Sequence, residues 1–272
     1  MSDQYAVMGN PIAHSKSPNI HRLFAEQTHQ KLNYDAMLVP EEGFVAAVAE
    51  FRAQGGKGLN ITVPFKQQAW DLGTERSERA ELAGAINTLI FSDDGKAYGE
   101  NTDGVGLVRD LTVNHHIELA GKRILVLGAG GAVRGVLAPL LEQSPVSIVI
   151  ANRTATKAQE LAQVFASKGA VSGCGYDGLA GQRFDVVING TAASLQGDVP
   201  PLPEDCLAPQ ACCYDMMYSA EATAFQSWAT AHGAAKSVDG LGMLVEQAAE
   251  SFFLWRGVRP STVEVIAALR SA

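Results

Sequence analysis

The chain has 272 residues, 47% of them hydrophobic, which suffices for two domains that bury about 70–75% of the unfolded surface. Its net charge is −8, and it has no basic stripe with interleaved aromatics, which argues against nucleic acid as a partner. No run of about 18 apolar residues occurs, so no membrane-spanning helix is predicted.

The first hundred residues predict an alternation of strands and helices. The predicted strands are 4–8, 33–39 and 58–63. One helix follows each of the first two strands. Ser17 suits the N-cap of the first helix and Pro18 its first turn, and glycines stop the second helix after Phe51. This order implies right-handed crossovers and a largely parallel sheet.

The third predicted strand ends in the sequence NITVPFK (60–66). Because side chains alternate along a strand, we expect Ile61 and Val63 to face the core and Asn60 and Thr62 to face a ligand. The proline ends strand pairing, so the lysine that follows lies on a short, stiff connection. That lysine, Lys66, is either a solvated strand end or a group placed to move a proton.

A hairpin and a second alternating unit follow. A short helix is predicted at 80–84, and strands 87–92 and 96–100 flank the turn Asp93-Asp94-Gly95. The second unit begins near Lys122. Its predicted strands are 123–127, 146–151, 184–188 and 211–214, and its predicted helices are 131–143 and 155–168, followed by 241–256 and 261–270.

A glycine-rich loop, Gly128-Ala129-Gly130-Gly131, directly follows the apolar strand 123–127. Glycines let the backbone approach a pyrophosphate, and the next helix offers free N–H groups and the positive end of its dipole. The G-x-G-x-x-G pattern would need glycine at 133, where this chain has Val133. The context favours a dinucleotide site over an ordinary tight turn.

The end of the next strand bears on the type of cofactor. An NAD site places an acid there, whereas this chain has Asn152-Arg153-Thr154 and then Lys157. A guanidinium suits a 2′-phosphate, so the sequence predicts NADP. The alternative is a surface arginine whose charge opposes the dipole of the following helix.

Polar side chains follow several predicted elements. Ser15, Ser17, Lys66, Asn87 and Asp103 all come where ligands bind in open α/β sheets, at the carboxyl ends of strands. Their hydroxyls, amide, cation and carboxylate suit a small polyhydroxylated acid. Asp103 alone is equally well explained as an N-cap of a helix at 104–111.

A resemblance rests on motifs that occur in order over nearly the whole chain. These are GNPIAHSKSP (9–18), NITVPFK (60–66), GAINT (84–88), NTDG (101–104), GAGGA (128–132), NRT (152–154), YDMMY (214–218) and DGLGMLVEQA (239–248). The chain resembles the shikimate dehydrogenase family, to which NITVPFK and NTDG are specific. The resemblance implies reversible NADPH-dependent reduction of 3-dehydroshikimate to shikimate, in aromatic amino-acid biosynthesis.

The resemblance also implies a two-domain α/β fold. Residues 1–103 and 241–272 would form the substrate domain, an N-terminal α/β unit completed by C-terminal helices. Residues 104–240 would form a Rossmann domain that binds NADP. The chain departs from the family at Lys157, where relatives often have a second arginine, and at Ala192, where they often have a hydroxyl.

The family's site residues carry over by motif position. Lys66 would be the catalytic acid/base, paired with Asp103. Ser15 and Ser17 would hold the substrate carboxylate. The remaining substrate contacts would be Thr62, Asn87, Tyr218 and Gln247, besides Asp103 itself. The cofactor contacts would be Glu78, Gly128, Ala129, Gly130, Gly131, Ala132, Asn152, Arg153, Thr154, Lys157, Met216 and Gly240.

Two rival functions stay open at this point. One is a quinate/shikimate dehydrogenase with relaxed use of substrate and cofactor, against which Arg153 argues. The other is a non-catalytic NADP-binding sensor, which predicts a broken lysine–acid pair, although both Lys66 and Asp103 are present. A homodimer is one oligomeric state that the sequence allows.

The cysteines and the first residues bear on compartment and metal. Cys174, Cys206, Cys212 and Cys213 form no C-x-x-C pair, and no H-E-x-x-H spacing occurs. We therefore expect small buried thiols and no metal site. The start MSDQYAVMGNP lacks the basic and apolar regions of a signal peptide, so we expect a cytoplasmic protein.

Overall fold

The computed structural model describes residues 2–72, 75–92 and 94–271. The chain divides into two compact units. Unit 1 comprises Met1–Gly106 and Val245–Ala272, and unit 2 comprises Leu107–Leu244. These divisions fall three to four residues after the domain boundaries expected from the sequence.

The described part of residues 1–106 contains six strands and the start of α5. The strands are β1 (Asp3–Gly9), β2 (Leu32–Leu38), β3 (Gly56–Ile61), β4 (Glu75–Arg76), β5 (Thr88–Phe91) and β6 (Ala97–Glu100). The helices are α1 (Ser17–Thr28), α2 (Phe44–Ala53), α3 (Lys66–Asp71), α4 (Glu78–Ala83) and α5 (Asp103–Arg109). The α5 helix continues as a π-helical turn, Asp110–Asn114.

The sheet of unit 1 has the order β2-β1-β3-β5-β6-β4. β1 pairs in parallel with β2 and β3, as the crossover helices require, and β5 pairs antiparallel with β3 and β6. Side chains of β1 alternate between two cores. Ala6 and Met8 join one cluster, whereas Tyr5 and Val7 join another. The predicted parallel pairing is confirmed for β1, β2 and β3, and the hairpin β5–β6 makes the sheet mixed.

Several expectations for unit 1 were wrong in detail. β3 ends at Ile61, so the strand stops before the proline, and Val63 is 67% exposed instead of facing the core. Lys66 begins α3 instead of lying on a simple connection. Ser17 is the first residue of α1 and Lys16 precedes it as the N-cap. These errors share a cause. Tertiary contacts set the residues at which a strand or helix begins and ends, and the periodicity of apolar residues does not reveal them.

The predicted hairpin is present as β5 and β6, although Asp93 of its turn lies outside the described residues. Asp103 is the first residue of α5, and its backbone N–H donates to Asn101 Oδ1 (3.2 Å). Asp103 is therefore not the N-cap that the alternative interpretation required. Its carboxylate stays available for other partners.

Unit 2 contains a second sheet. Its strands are β7 (Arg123–Leu127), β8 (Ser147–Ala151), β9 (Val171–Cys174), β10 (Phe184–Asn189), β11 (Leu207–Asp215) and β12 (Lys236–Val238). The remaining α-helices, counted over both units, are α6 (Gly131–Leu141), α7 (Ala155–Phe165), α8 (Ala224–Ala231), α9 (Leu241–Arg256) and α10 (Val263–Arg270). Of these, α10 and most of α9 belong to unit 1. β4, β9, β12, α3 and α8 were not predicted, and the first four of these are six residues long or shorter.

The sheet of unit 2 has the order β12-β11-β10-β7-β8-β9, and every pair is parallel. This is the strand order of a Rossmann dinucleotide-binding fold, in which the order reverses beside the first strand, here β7. The central strands β7, β8 and β10 are buried on both faces, which explains their near-continuous apolar sequences. The predicted Rossmann unit is confirmed.

The four cysteines are free thiols. Cys206 and Cys213 are buried, as expected, and burial raises their pKa values to about 11 and about 12. Cys174 and Cys212 are only half-buried, which corrects the expectation for these two. Within the described ranges, no helix is both long and apolar enough to cross a bilayer.

Candidate functional site

The centre of the polar site in unit 1 is an ion pair. Lys66 Nζ donates to Asp103 Oδ2 at 2.5 Å. Lys66 is placed by the start of α3 and Asp103 by the start of α5. Both side chains are mostly buried, with 29% and 15% of their surfaces exposed. A partly desolvated ammonium that still reaches solvent can exchange a proton with a bound ligand.

Asn87 lies immediately before β5 and holds the other oxygen of the carboxylate. Its Nδ2 donates to Asp103 Oδ1 at 2.8 Å and to Thr102 Oγ1 at 2.9 Å. Asp103 is thus bound on one oxygen by a cation and on the other by an amide. This arrangement fixes the carboxylate in one orientation, because each of its oxygens has a directional donor.

Gln247 of α9 joins the same group of side chains. Its Oε1 lies 3.4 Å from Asn87 Nδ2 and 3.4 Å from Thr102 Oγ1. The structure therefore brings together Lys66, Asn87, Asp103 and Gln247, which sequence analysis had taken from segments far apart in the chain. Thr102 belongs to this group as well, although it was not a predicted site residue.

The predicted serines lie after β1. Ser17 N donates to Ser15 Oγ at 3.3 Å, so the two residues form one compact turn at the start of α1. Thr62 follows β3, and its backbone N–H donates to Met8 O of β1 at 3.0 Å. Its methyl group occupies the space that a Cβ at Gly9 would need. Thr62 thus lies at the carboxyl end of β3, and Ser15 and Ser17 lie where the connection that follows β1 enters α1.

Asn60 does not face a ligand, which corrects the expectation from strand alternation. It is 7% exposed, and its amide is used by protein groups. Tyr34 donates to its Oδ1 at 2.7 Å, and its Nδ2 donates to Asn87 O, Thr88 Oγ1 and Ser251 Oγ at 3.0–3.2 Å.

In unit 2 the glycine-rich loop lies beside the end of β8. Leu127 is opposite Ala151 in the parallel ladder, and Gly128 N donates to Ala151 O at 2.8 Å. Gly128 has φ +104°, and a Cβ there would press on Gly190. Both reasons require glycine at this position.

The next two glycines open toward free space. A Cβ at Gly130 or Gly131 would meet no heavy atom within 4 Å, and Gly130 caps α6 without a side-chain hydrogen bond. The first N–H groups of an 11-residue helix are therefore uncovered by side chains. Ala129 and Ala132 lie in the same turn. This cradle fits a pyrophosphate, which such N–H groups and the helix dipole bind.

The residue that departs from the glycine pattern, Val133, is fully buried. A Cβ at Gly190 would come within 2.5 Å of Val133 Cγ2. Helix α6 therefore still lies close to the sheet. The glycine that permits this close approach is Gly190, directly after β10, and not a glycine at position 133. The missing third glycine is thus no obstacle to the fold of the loop.

The cationic segment follows β8. Asn152 Nδ2 donates to Thr154 O at 3.0 Å, which forms the turn into α7. Arg153, Thr154 and Lys157 are exposed. Residues 152–157 include two cations and no carboxylate, so their donor set fits a phosphate better than a ribose 2′-OH.

Met216 and Gly240 lie together at the ends of β11 and β12. A Cβ at Gly240 would clash with Met216 O, and Met216 N donates to Asn189 O at 2.9 Å. Tyr218 also belongs to unit 2, and burial raises the pKa of its phenol. Glu78 belongs to unit 1, where it is exposed in the first turn of α4.

Sequence analysis missed a buried carboxylate in unit 2. Asp215 ends β11 with no exposed surface, and it accepts hydrogen bonds from Asn189 Nδ2 (3.1 Å), Ser194 Oγ (2.7 Å), Thr223 Oγ1 (2.6 Å) and Met217 N (3.1 Å). The signal for it was present, because an acid inside the strand sequence ACCYD must find donors if it is buried.

Comparisons with known proteins decide the family. The family model for the shikimate dehydrogenase substrate binding domain matches residues 7–89. The models for shikimate / quinate 5-dehydrogenase and for the shikimate 5'-dehydrogenase C-terminal domain match residues 110–196 and 240–270. The shikimate dehydrogenase (NADP(+)) of Alkalilimnicola ehrlichii is 64% identical over 270 residues, which cover 99% of each chain. The chain belongs to the shikimate dehydrogenase family.

Solved structures agree with membership of the shikimate dehydrogenase family. The crystal structure of an Ael1 enzyme from Pseudomonas putida matches with a TM-score of 0.93 at 49% identity, covering 98% of each chain. That of shikimate 5-dehydrogenase from Thermus thermophilus, in complex with NADP(H) and shikimate, matches with a TM-score of 0.87 at 32% identity, covering 99% of each chain.

Proposed function

We propose that this protein catalyses the reversible NADPH-dependent reduction of 3-dehydroshikimate to shikimate. The observation that carries the proposal is the Lys66–Asp103 pair, 2.5 Å apart and surrounded by amide and hydroxyl groups. A non-catalytic sensor of the same fold would have no need for this pair. The names of the relatives and the cradle of unit 2 support the same activity.

The chemical step needs one group beside the carbonyl oxygen. NADPH, when bound, supplies a hydride to the carbonyl carbon. Negative charge then develops on the oxygen, and the Lys66 ammonium stabilises this charge and donates a proton to it. In the reverse direction the lysine amine accepts the proton from the hydroxyl. Asp103 holds the ammonium in place, and Asn87 holds Asp103.

The substrate contacts are proposed from the family motifs and from the position of each residue. Ser15 and Ser17 would donate to the carboxylate of shikimate from the turn after β1. Thr62, Asn87 and Gln247 would contact the ring hydroxyls, together with Asp103. Tyr218 is proposed as a further contact on the basis of the resemblance alone.

The cofactor residues are proposed on the same basis. The N–H groups of the loop from Gly128 to Ala132 would bind the pyrophosphate, and Arg153 and Lys157 would bind the 2′-phosphate. Asn152 and Thr154 would shape that turn, and Met216, Gly240 and Glu78 are further proposed contacts. Free thiols at all four cysteines support a location in a reducing cytoplasm. A homodimer stays a prediction.

One experiment tests the function. Initial rates are measured with shikimate or quinate and with NADP or NAD, and we expect the highest kcat/KM with shikimate and NADP. We expect Lys66→Ala to lower kcat by roughly 10²–10⁴-fold, the usual contribution of a general acid–base group, without loss of the folded state.

A matched control is Lys96→Ala. Lys96 also pairs with a carboxylate, Glu75, at 2.9 Å, but on the exposed surface of unit 1. Its substitution should leave the rates unchanged. A wild-type protein that binds NADP without turning over any substrate would support the sensor, and equal rates with quinate or NAD would support the relaxed dehydrogenase.

A further inference from the structure

A continuous series of buried hydrogen bonds leads from Asp103 to the edge strand of unit 1. It runs through Asn87, Thr88 and Asn60 and ends at Tyr34 of β2. Of these residues only Asn87 and Asp103 belong to the site already described. The other three are 9% exposed or less, and the Tyr34 hydroxyl also has a hydrogen bond with Ser17, so Thr88→Val is the variant that tests the series alone.

The orientation of the Asn87 amide is fixed by a group that can only donate. Thr102 N lies 2.9 Å from Asn87 Oδ1. Because a backbone N–H has no acceptor role, the atom that faces it must be the oxygen. The NH₂ group of Asn87 therefore faces Asp103, and Asn87 must donate to the carboxylate.

The orientation of the Asn60 amide is fixed in the opposite way. Its Nδ2 lies 3.2 Å from Asn87 O, a carbonyl that can only accept. Its Oδ1 therefore faces the Tyr34 hydroxyl, which must donate at 2.7 Å. Burial raises the pKa of Tyr34, which keeps this phenol protonated and able to donate.

Thr88 joins the two amides. Its Oγ1 lies 3.1 Å from Asn60 Nδ2 and 2.9 Å from Asn87 Oδ1, so its hydroxyl accepts from the first and donates to the second. Every donor in the series then points the same way, toward the carboxylate. Hydrogen bonds aligned in this manner polarise one another, and the effect is larger where water is excluded.

We propose that Tyr34, Asn60 and Thr88 are positioning residues that strengthen the hydrogen bond from Asn87 to Asp103 and thereby hold Asp103 against Lys66. This inference rests on the proposed function, because the Lys66–Asp103 pair is the group that it serves. Ser251 of α9 supports the series from the side, with its hydroxyl 3.0 Å from Asn60 Nδ2 and 2.8 Å from Thr88 Oγ1.

The test removes single oxygens far along the series. Tyr34→Phe deletes the first donor and keeps the ring that stacks on His21, and Thr88→Val deletes the middle hydroxyl at nearly constant volume. We expect each to lower kcat about three- to tenfold, the range for one lost hydrogen bond, with the KM for NADP unchanged. Thr88→Ser restores the hydroxyl and should restore kcat.

Tyr5→Phe is the matched control. Tyr5 lies opposite Tyr34 in the β1–β2 ladder, but its hydroxyl accepts from Arg256 and has no place in the series. It should leave kcat at the wild-type value. Melting temperatures of all variants are recorded, because a purely structural role would lower the melting temperature and leave kcat of the folded protein unchanged.

A second readout does not depend on turnover. The side-chain amide protons of Asn87 are followed by ¹H–¹⁵N spectroscopy, with their resonance assigned by its loss in Asn87→Asp. We expect an upfield shift in Tyr34→Phe and Thr88→Val and none in Tyr5→Phe, because a weaker hydrogen bond deshields its proton less.

The two readouts separate the two proposals. If Tyr34→Phe keeps either the wild-type kcat or the wild-type Asn87 resonance, the positioning series is refuted and the proposed function stands. If the wild-type protein does not oxidise shikimate, the proposed function falls, and the Asn87 resonance alone decides whether the series exists.

Discussion

At the scale of single residues, His21 of α1 is the least expected side chain in unit 1. It has no exposed surface, and Asn60, its polar neighbour, opposes the effect of burial on the imidazole only weakly. Its ring stacks on Tyr34, with centroids 4.1 Å apart and planes 7° apart. Burial lowers its pKa to about 3, from 6.5 in an exposed histidine. The folded protein therefore holds a neutral imidazole as an aromatic core residue.

This burial predicts a pH dependence of stability. Between pH 6.5 and 3 the unfolded chain binds a proton at His21 that the folded chain does not bind. The contribution of His21 to the free energy of unfolding is therefore fully present above pH 6.5 and is lost as the pH falls. The loss is about 1.4 kcal/mol per pH unit, or about 2 kcal/mol at pH 5. We expect His21→Phe to lack this component, as measured by urea unfolding at pH 5 and pH 7.5.

The comparison uses the difference between the two pH values, so a constant effect of the larger ring cancels. His29→Asn is the control, because His29 is exposed and has φ +54°, a conformation that asparagine tolerates. It should keep the wild-type pH dependence. Equal pH dependence in His21→Phe and wild type would show that the buried imidazole carries no proton linkage.

At the scale of elements, Asp215 ties together the carboxyl ends of two strands in unit 2. Asn189 of β10 is opposite Asp215 of β11 in the ladder. The carboxylate then accepts from Ser194 and Thr223, which lie in the segments that follow these strands. The side chain of Asp215 thus fixes the connections that follow both strands, including the one that begins with Met216, a proposed cofactor contact.

We expect Asp215→Asn to lower the free energy of unfolding by about 2–3 kcal/mol, because an amide NH₂ cannot accept from the donors that a charged oxygen binds. The KM for NADP should rise, since the segments that it holds shape the cofactor side of the sheet. Denaturant unfolding and initial rates with varied NADP measure the two effects.

Asp185→Asn is the control on the same sheet. Asp185 lies near the other end of β10, where its Oδ2 accepts from Arg123 N at 2.8 Å on the surface. It should change the KM for NADP little. If Asp215→Asn behaved like Asp185→Asn, the carboxylate would have no role in holding the carboxyl edge of the sheet.

At the scale of the whole molecule, unit 1 is built from two separate parts of the chain. Trp255 of α9 packs against Tyr5 of β1 with ring centroids 4.7 Å apart and planes tilted by 31°, and its Nε1 donates to Leu89 O of β5 at 3.0 Å. A Cβ at Gly58 of β3 would clash with its indole. One side chain from the last 28 residues therefore contacts three strands from the first 106.

We expect Trp255→Ala to lower the free energy of unfolding by about 3 kcal/mol, because it removes a large packed side chain and leaves Leu89 O without its donor. Phe253→Ala, on the same helix but 40% exposed, should cost about 0.5 kcal/mol. Denaturant unfolding of both variants measures the difference. Similar losses in the two would mean that the C-terminal segment contributes little to unit 1.

Local sequence determined most of the elements and their class. Apolar runs predicted the parallel strands β7, β8 and β10, and the helical spacing of 241–256 matches α9 residue for residue. The glycine-rich loop and the family motifs marked the proposed site. Such features are legible because periodicity and glycine placement act over a few residues of chain.

Only the tertiary structure decided which polar groups meet. Asn60 and Ser251 are 191 residues apart in sequence and hydrogen-bonded in space. The alternation of side chains along a strand predicted that Asn60 faces a ligand and that Val63 faces the core. In the folded protein Asn60 is buried and Val63 is exposed. The sequence by itself determined the two α/β units, and tertiary packing decided the partners of each buried polar group, because hydrogen bonding depends on distances between segments that a local pattern does not encode.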